Sequence, residues 1–189
     1  MGEGLHVTEP RVLMVDDEKK VADAYALRLN DVAEVSVAYG GEEAIDTIDN
    51  ESPPDVVLLD RHMPELSGDE VLDRLRERNL RTRIIMVTAI DPDLGILEMP
   101  FDDYLSKPVD RDDLHAAVDQ QCQVLAYELL GEYFQFAATR GVATAELSND
   151  NTHDRLDELE NELEKLESRV RGLFPEATNL LDAFGEIDR

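Results

Sequence analysis

Positive charge is what this 189-residue chain has least of: Lys and Arg total 18 against 44 Asp and Glu, a formal net charge of −26. Such a surface repels polyanions. It argues against generic binding to nucleic acid or anionic membranes, whose affinity comes largely from neutralising phosphates. Lysine is scarcer still, limited to Lys19, Lys20, Lys107 and Lys165. An acid-rich, lysine-poor chain fits a salt-saturated cytoplasm, where screening over a few ångströms tames self-repulsion. The single cysteine, Cys122, excludes an intrachain disulfide and offers no cysteine metal cluster. No apolar run approaches the roughly 18 residues needed to cross a bilayer, and the first residues carry no basic-then-apolar signal. The expectation is a soluble, cytoplasmic protein with no membrane partner.

What the chain does contain is short apolar runs that end in polar residues. Val56-Val57-Leu58-Leu59 lacks the alternation of a half-exposed strand and reads as a strand buried on both faces. It stops at Asp60, and the chain turns through Met63-Pro64 to Gly68. An ionised carboxylate belongs at the rim of such a core and not inside it. Arg11–Val15 is a similar run ending in Asp16-Asp17-Glu18, a strand is expected over 33–37, Arg83–Val87 ends at Thr88-Ala89, and Asp102–Ser106 ends at Lys107-Pro108. Helical spacing separates these runs: 21–29, 42–48 after Gly40-Gly41, and a segment with Val71, Leu72 and Leu75 on one face.

Alternation of this kind implies right-handed crossovers and a parallel, doubly wound α/β sheet, with ligands beyond the carboxyl ends of the strands. Those ends carry Asp16, Asp17, Asp60, Thr88 and Lys107. Three carboxylates on one rim repel one another unless a cation neutralises them. Mg²⁺ accepts one or two carboxylates and a phosphoryl oxygen while keeping waters. Phosphoryl transfer asks mainly for positioning and charge neutralisation. Asp60 is therefore the candidate nucleophile, Asp17, Asp60, the backbone carbonyl of His62 and Asp16, directly or through one water, the candidate metal shell, and Lys107 and Thr88 the groups for phosphoryl oxygens. Each has a plainer reading: Asp16 or Asp17 as a helix cap, Thr88 as a β-branched strand residue, Tyr104 as half-buried packing.

Asp16-Asp17, Asp60 with Met63-Pro64 and Gly68, Thr88-Ala89, and Tyr104 three residues before Lys107-Pro108 occur in the order found in response-regulator receiver domains, which residues 11 to about 120 resemble. The resemblance implies a flavodoxin-like sheet of order 2-1-3-4-5, an Asp60 that accepts a phosphoryl group from a histidine kinase with Mg²⁺, a Thr88 and Tyr104 that switch on phosphorylation, and a cis Lys107-Pro108 bond. It also implies a phosphoacceptor and not a turnover enzyme. A phosphatase of the haloacid dehalogenase type wants a second Asp two residues after the nucleophile, where this chain has His62. The 19 residues from Thr88 to Lys107 run short for the family's fourth helix, which is expected to be short or irregular within Asp91 to Glu98.

The expected division is a receiver over 9–122 and a helical tail over 123–189, with helices near 123–139, 153–171 and 175–184. Gly141 and 148–151 are expected to form a loop with Asn151 or Thr152 as N-cap, and Gly172 to end the second helix. Leu156, Leu159, Leu163, Leu166 and Val170 repeat at 3,4,3,4 over barely two heptads. That seam serves a parallel coiled coil or, without setting Glu162 against Glu167, a hairpin folded back on the preceding helix. An acidic receiver with such a tail resembles the HalX-domain regulators of halophilic archaea. The tail is expected to contact itself or a downstream protein. A transcription regulator working through a DNA-associated tail is the alternative, but residues 120–189 hold 15 acidic against 6 basic residues and no clustered recognition helix.

Overall fold

The computed structural model describes residues 9–78, 80–89, 99–146 and 151–187, with side chains left aside at 142–146, 151–155 and 183–187. Five strands, β1 (Arg11–Val15), β2 (Glu34–Ala38), β3 (Val56–Leu59), β4 (Arg83–Thr88) and β5 (Asp103–Ser106), form one parallel sheet in the order β2-β1-β3-β4-β5. Between them run α1 (Lys19–Leu29), α2 (Gly41–Asn50) and α3 (Gly68–Glu77). After β5 come α4 (Arg111–Glu146), α5 (Asn151–Leu173), a 3-10 turn at Pro175–Ala177 and α6 (Thr178–Ile187).

The unbroken apolar runs are explained by cover on both faces. Leu13, Val15, Val57, Leu59, Ile84 and Met86 share a cluster with Ala44 and Ile48 of α2 and Val71, Leu72 and Leu75 of α3. The alternate residues Val12, Met14, Leu58, Ile85 and Val87 are equally buried, as pleated strands with covered faces require. β2 lies at the sheet edge, and there the pattern changes to exposed Glu34 and Ser36. The strand expected over 33–37 begins one residue later.

The chain divides into two compact units, Glu9–Cys122 and a second built from Gln123 onward. In the second, the rings of Tyr127 on α4 and Phe174, the residue after α5, lie 5.5 Å apart. With only 147–150 between α4 and α5, that contact makes the two helices antiparallel. Leu163, Leu166 and Val170 of the heptad seam are buried within this single chain, while Leu156 and Leu159 are half-buried. Arg171, held along α5 by Glu167 at 2.8 Å, ties α5 to α6 through Asp182 at 2.7 Å.

Three expectations about the tail need correction. Gly141 does not open a loop, because one glycine costs a helix only about 1 kcal/mol relative to alanine, and α4 continues to Glu146. Asn151 is already helical, so neither it nor Thr152 is the cap, whereas α5 does end beside Gly172, at Leu173. The helix expected to start at Pro175 opens with a 3-10 turn, which suits a residue that cannot donate a backbone hydrogen bond. The helix expected within Asp91 to Glu98 lies outside the described residues.

Candidate functional site

The site is assembled by strand ends. Asp16 and Asp17 follow β1, Asp60 follows β3, Thr88 closes β4, and Lys107 follows β5. Carboxylate oxygens of Asp16, Asp17 and Asp60 all lie within 4.8 Å of one another. Lys107 Nζ donates to Asp16 Oδ2 at 2.6 Å and stands 3.2 Å from Asp60 Oδ2. Asp16 is fully buried and Asp60 is 8% exposed, whereas Asp17 is half-buried. Asp16 also accepts from the Glu18 N–H at 2.9 Å. The N-cap of α1 is Glu18 and has no side-chain cap, so neither aspartate is spent on capping.

Electrostatics follow from this crowding. Burial raises the Asp60 pKa above the usual aspartate value and the charge of Asp16 adds to it, while Lys107 and the Arg61 N–H pull the other way without prevailing. Burial disfavours charge on Lys107, but its bond to Asp16 and the charges of Asp60 and Asp16 outweigh it and hold its pKa above the ordinary lysine value. Lys107 is thus a fixed cation among three carboxylates, and this set of hard oxygen donors fits a divalent ion such as Mg²⁺.

The other expected residues are placed as follows. Thr88 is buried at the end of β4, where its carbonyl accepts from the Lys107 N–H at 2.8 Å. Lys107-Pro108 is cis. The His62 side chain is exposed. Tyr104 is paired with Met86 across the sheet and half-buried against the apolar cluster, its ring centroid 6.3 Å from that of Phe101.

The loop beneath Asp60 is held more tightly than its sequence suggests. A Cβ on Gly68 would lie 2.1 Å from the Asp60 carbonyl oxygen, so only glycine lets the start of α3 approach. Glu65 takes a left-handed φ of 66°, unusual for a side-chain-bearing residue, and Ser67 and Glu70 form a reciprocal capping box. Arg61 grips Asp69 with a forked pair of bonds at 3.0 and 3.2 Å. This pairing was missed from sequence, since an Arg after a strand and an Asp eight residues later carry no periodic signal.

The response regulator receiver domain model matches residues 12–119, more than half of the chain. The chain belongs to that family. Receiver relatives bear out the parallel 2-1-3-4-5 fold. A CheY-like receiver from Methanospirillum hungatei is 27% identical with a TM-score of 0.60, covering 64% of this chain and 99% of that one. The beryllium-fluoride-activated receiver of DrrB from Thermotoga maritima is 28% identical with a TM-score of 0.54, covering 60% and 97%. A candidate transcriptional regulator of Haloferax volcanii is 44% identical over 133 residues, which is 69% of this chain and 22% of that protein. The chain spans between about a fifth and a half of the length of the first curated relatives it matches. Among the described residues no helix is long and apolar enough to cross a membrane.

Proposed function

We propose that this receiver is a phosphorelay response regulator in which Asp60 takes a phosphoryl group from a phosphohistidine on a partner kinase. The supporting observation is the meeting of Asp60 with Lys107 at 3.2 Å inside a carboxylate triad whose oxygens lie within 4.8 Å. An Asp60 oxygen attacks phosphorus, the P–N bond breaks, and the leaving imidazole takes up a proton. Lys107 holds one phosphoryl oxygen as a point charge, and the Thr88 hydroxyl turns to another. Asp16, Asp17, Asp60 and the His62 carbonyl are the groups to hold Mg²⁺, which when bound offsets the negative charge of the transferring group. The chain takes one phosphate per activation and acts as a switch, not as a turnover enzyme.

The test is mass spectrometry after incubation with phosphoramidate and Mg²⁺. One base-labile phosphoryl group is expected on the intact chain and none on Asp60→Asn. Stable labelling elsewhere, or equal labelling of the variant, would sink the assignment.

The output falls to the tail, which we read as HalX-like, with contacts to itself or to a downstream protein. The transcriptional name of the Haloferax volcanii relative favours an effect on transcription as the second reading. The acidic tail disfavours direct DNA contact. Gel shift against genomic fragments at high salt separates the two, since sequence-specific binding would place the output on DNA itself.

A further inference from the structure

Four polar side chains at the edge of the sheet remote from Asp60 form a latch with no part in phosphoryl chemistry. Asp102, the residue before β5, receives Arg76 Nη2 of α3 at 2.6 Å, Arg83 Nη2 of β4 at 3.0 Å and the Ile84 N–H at 2.6 Å. Arg76 also donates to the carbonyls of Pro100 at 2.6 Å and Thr82 at 3.0 Å. The Nε of Arg83 donates to Gln121 Oε1 at 3.1 Å. Gln121 is 2% exposed on α4, where the chain otherwise buries apolar groups such as Val118, Cys122 and Leu125.

Two features make this more than a brace. Phe101, whose ring meets that of Tyr104, sits between Pro100 and Asp102, both gripped by Arg76. A displaced Tyr104 ring therefore pushes on a segment pinned from both sides. Secondly, the guanidinium of Arg83 is a planar fork with fixed donor directions. It satisfies Asp102 and Gln121 together in one placement of the pre-β5 segment against α4. A shift of the pre-β5 segment against α4 that breaks the Arg83–Gln121 bond leaves the buried Gln121 amide to find another partner, which favours two discrete arrangements.

We infer that the Arg76–Asp102–Arg83–Gln121 latch couples the state of Tyr104 to α4 at Gln121, the point from which this helix runs on to Glu146. The inference rests on the phosphoacceptor reading of Asp60. Phosphorylation draws Tyr104 inward, Phe101 follows, the Arg83 bond to Gln121 breaks, and α4 is loosened beyond residue 121.

Amide hydrogen exchange of residues 123–141 in the full chain tests this, with and without beryllium fluoride and Mg²⁺, while fluorine NMR reports the adduct on Asp60. The adduct should speed exchange in wild type at least about fivefold, the lower end of ordinary allosteric coupling. Gln121→Leu should exchange fast without adduct and gain nothing from it, although the adduct still forms. Gln121→Glu, which keeps an acceptor for Arg83, should respond like wild type. An adduct that leaves wild-type exchange unchanged overturns the coupling. So does a Gln121→Leu chain that responds as wild type does, or a Gln121→Glu chain that behaves like the leucine variant. Absence of any adduct signal in wild type overturns the phosphoacceptor reading and the coupling with it.

Discussion

Asp60 is held where its own charge is unwelcome. Because its folded pKa is raised, the fold binds the proton more tightly than the unfolded chain does. That preference stabilises the protein fully below the ordinary value of 3.8 and is lost as pH rises through the higher folded value. At neutral pH without divalent cation, Asp60→Asn should therefore melt above wild type. The gap should shrink as pH falls to 4 and again on adding Mg²⁺, and melts in chelator at the two pH values check it. Gly68 makes the opposite case. Gly68→Ala places a methyl 2.1 Å from the Asp60 carbonyl and should cost about 2–3 kcal/mol of stability in urea titrations, the usual cost of overpacking. Lys107→Met leaves fully buried Asp16 without its cation and should cost about 3 kcal/mol, the ordinary result of breaking a buried pair.

Among the elements, those whose sequence pattern is local were legible beforehand. β1, β3 and β4 each show as an apolar run, and the residues closing them put Asp16, Asp17, Asp60 and Thr88 on the rim, while Lys107 was placed by the short, only half-buried strand that precedes it. The latch was not legible, since Arg76, Asp102, Arg83 and Gln121 are brought together by tertiary packing and none breaks a period. The continuation of α4 through Gly141 was missed for another reason: a lone glycine is weak punctuation when alanines surround it. Gly131 of the same helix is exposed with open space about its missing Cβ. Gly131→Ala should therefore stabilise the helix by about 1 kcal/mol, measured by far-ultraviolet circular dichroism during thermal unfolding. A smaller gain than loss at Gly68 would show that space, and not residue type, decides the sign.

For the whole molecule the governing number is the net charge of −26. Repulsion among surface carboxylates opposes compaction and is screened within about 3 Å at molar salt. The unfolding midpoint should consequently rise steadily from low salt to molar potassium chloride; a flat profile would mean that the acidic surface does not limit stability. In so acidic a protein the four lysines are conspicuous, and their surroundings differ. Lys19, Lys20 and Lys165 are exposed, while the Lys107 side chain is 13% exposed and bonded to Asp16. An amine must shed its proton to attack an acylating reagent, and Lys107 holds its proton more firmly than a free lysine. Acetic anhydride footprinting should thus mark three lysine side chains and spare the fourth, so that a covalent tag on Lys107 becomes an outside reporter of when the carboxylates let go of it.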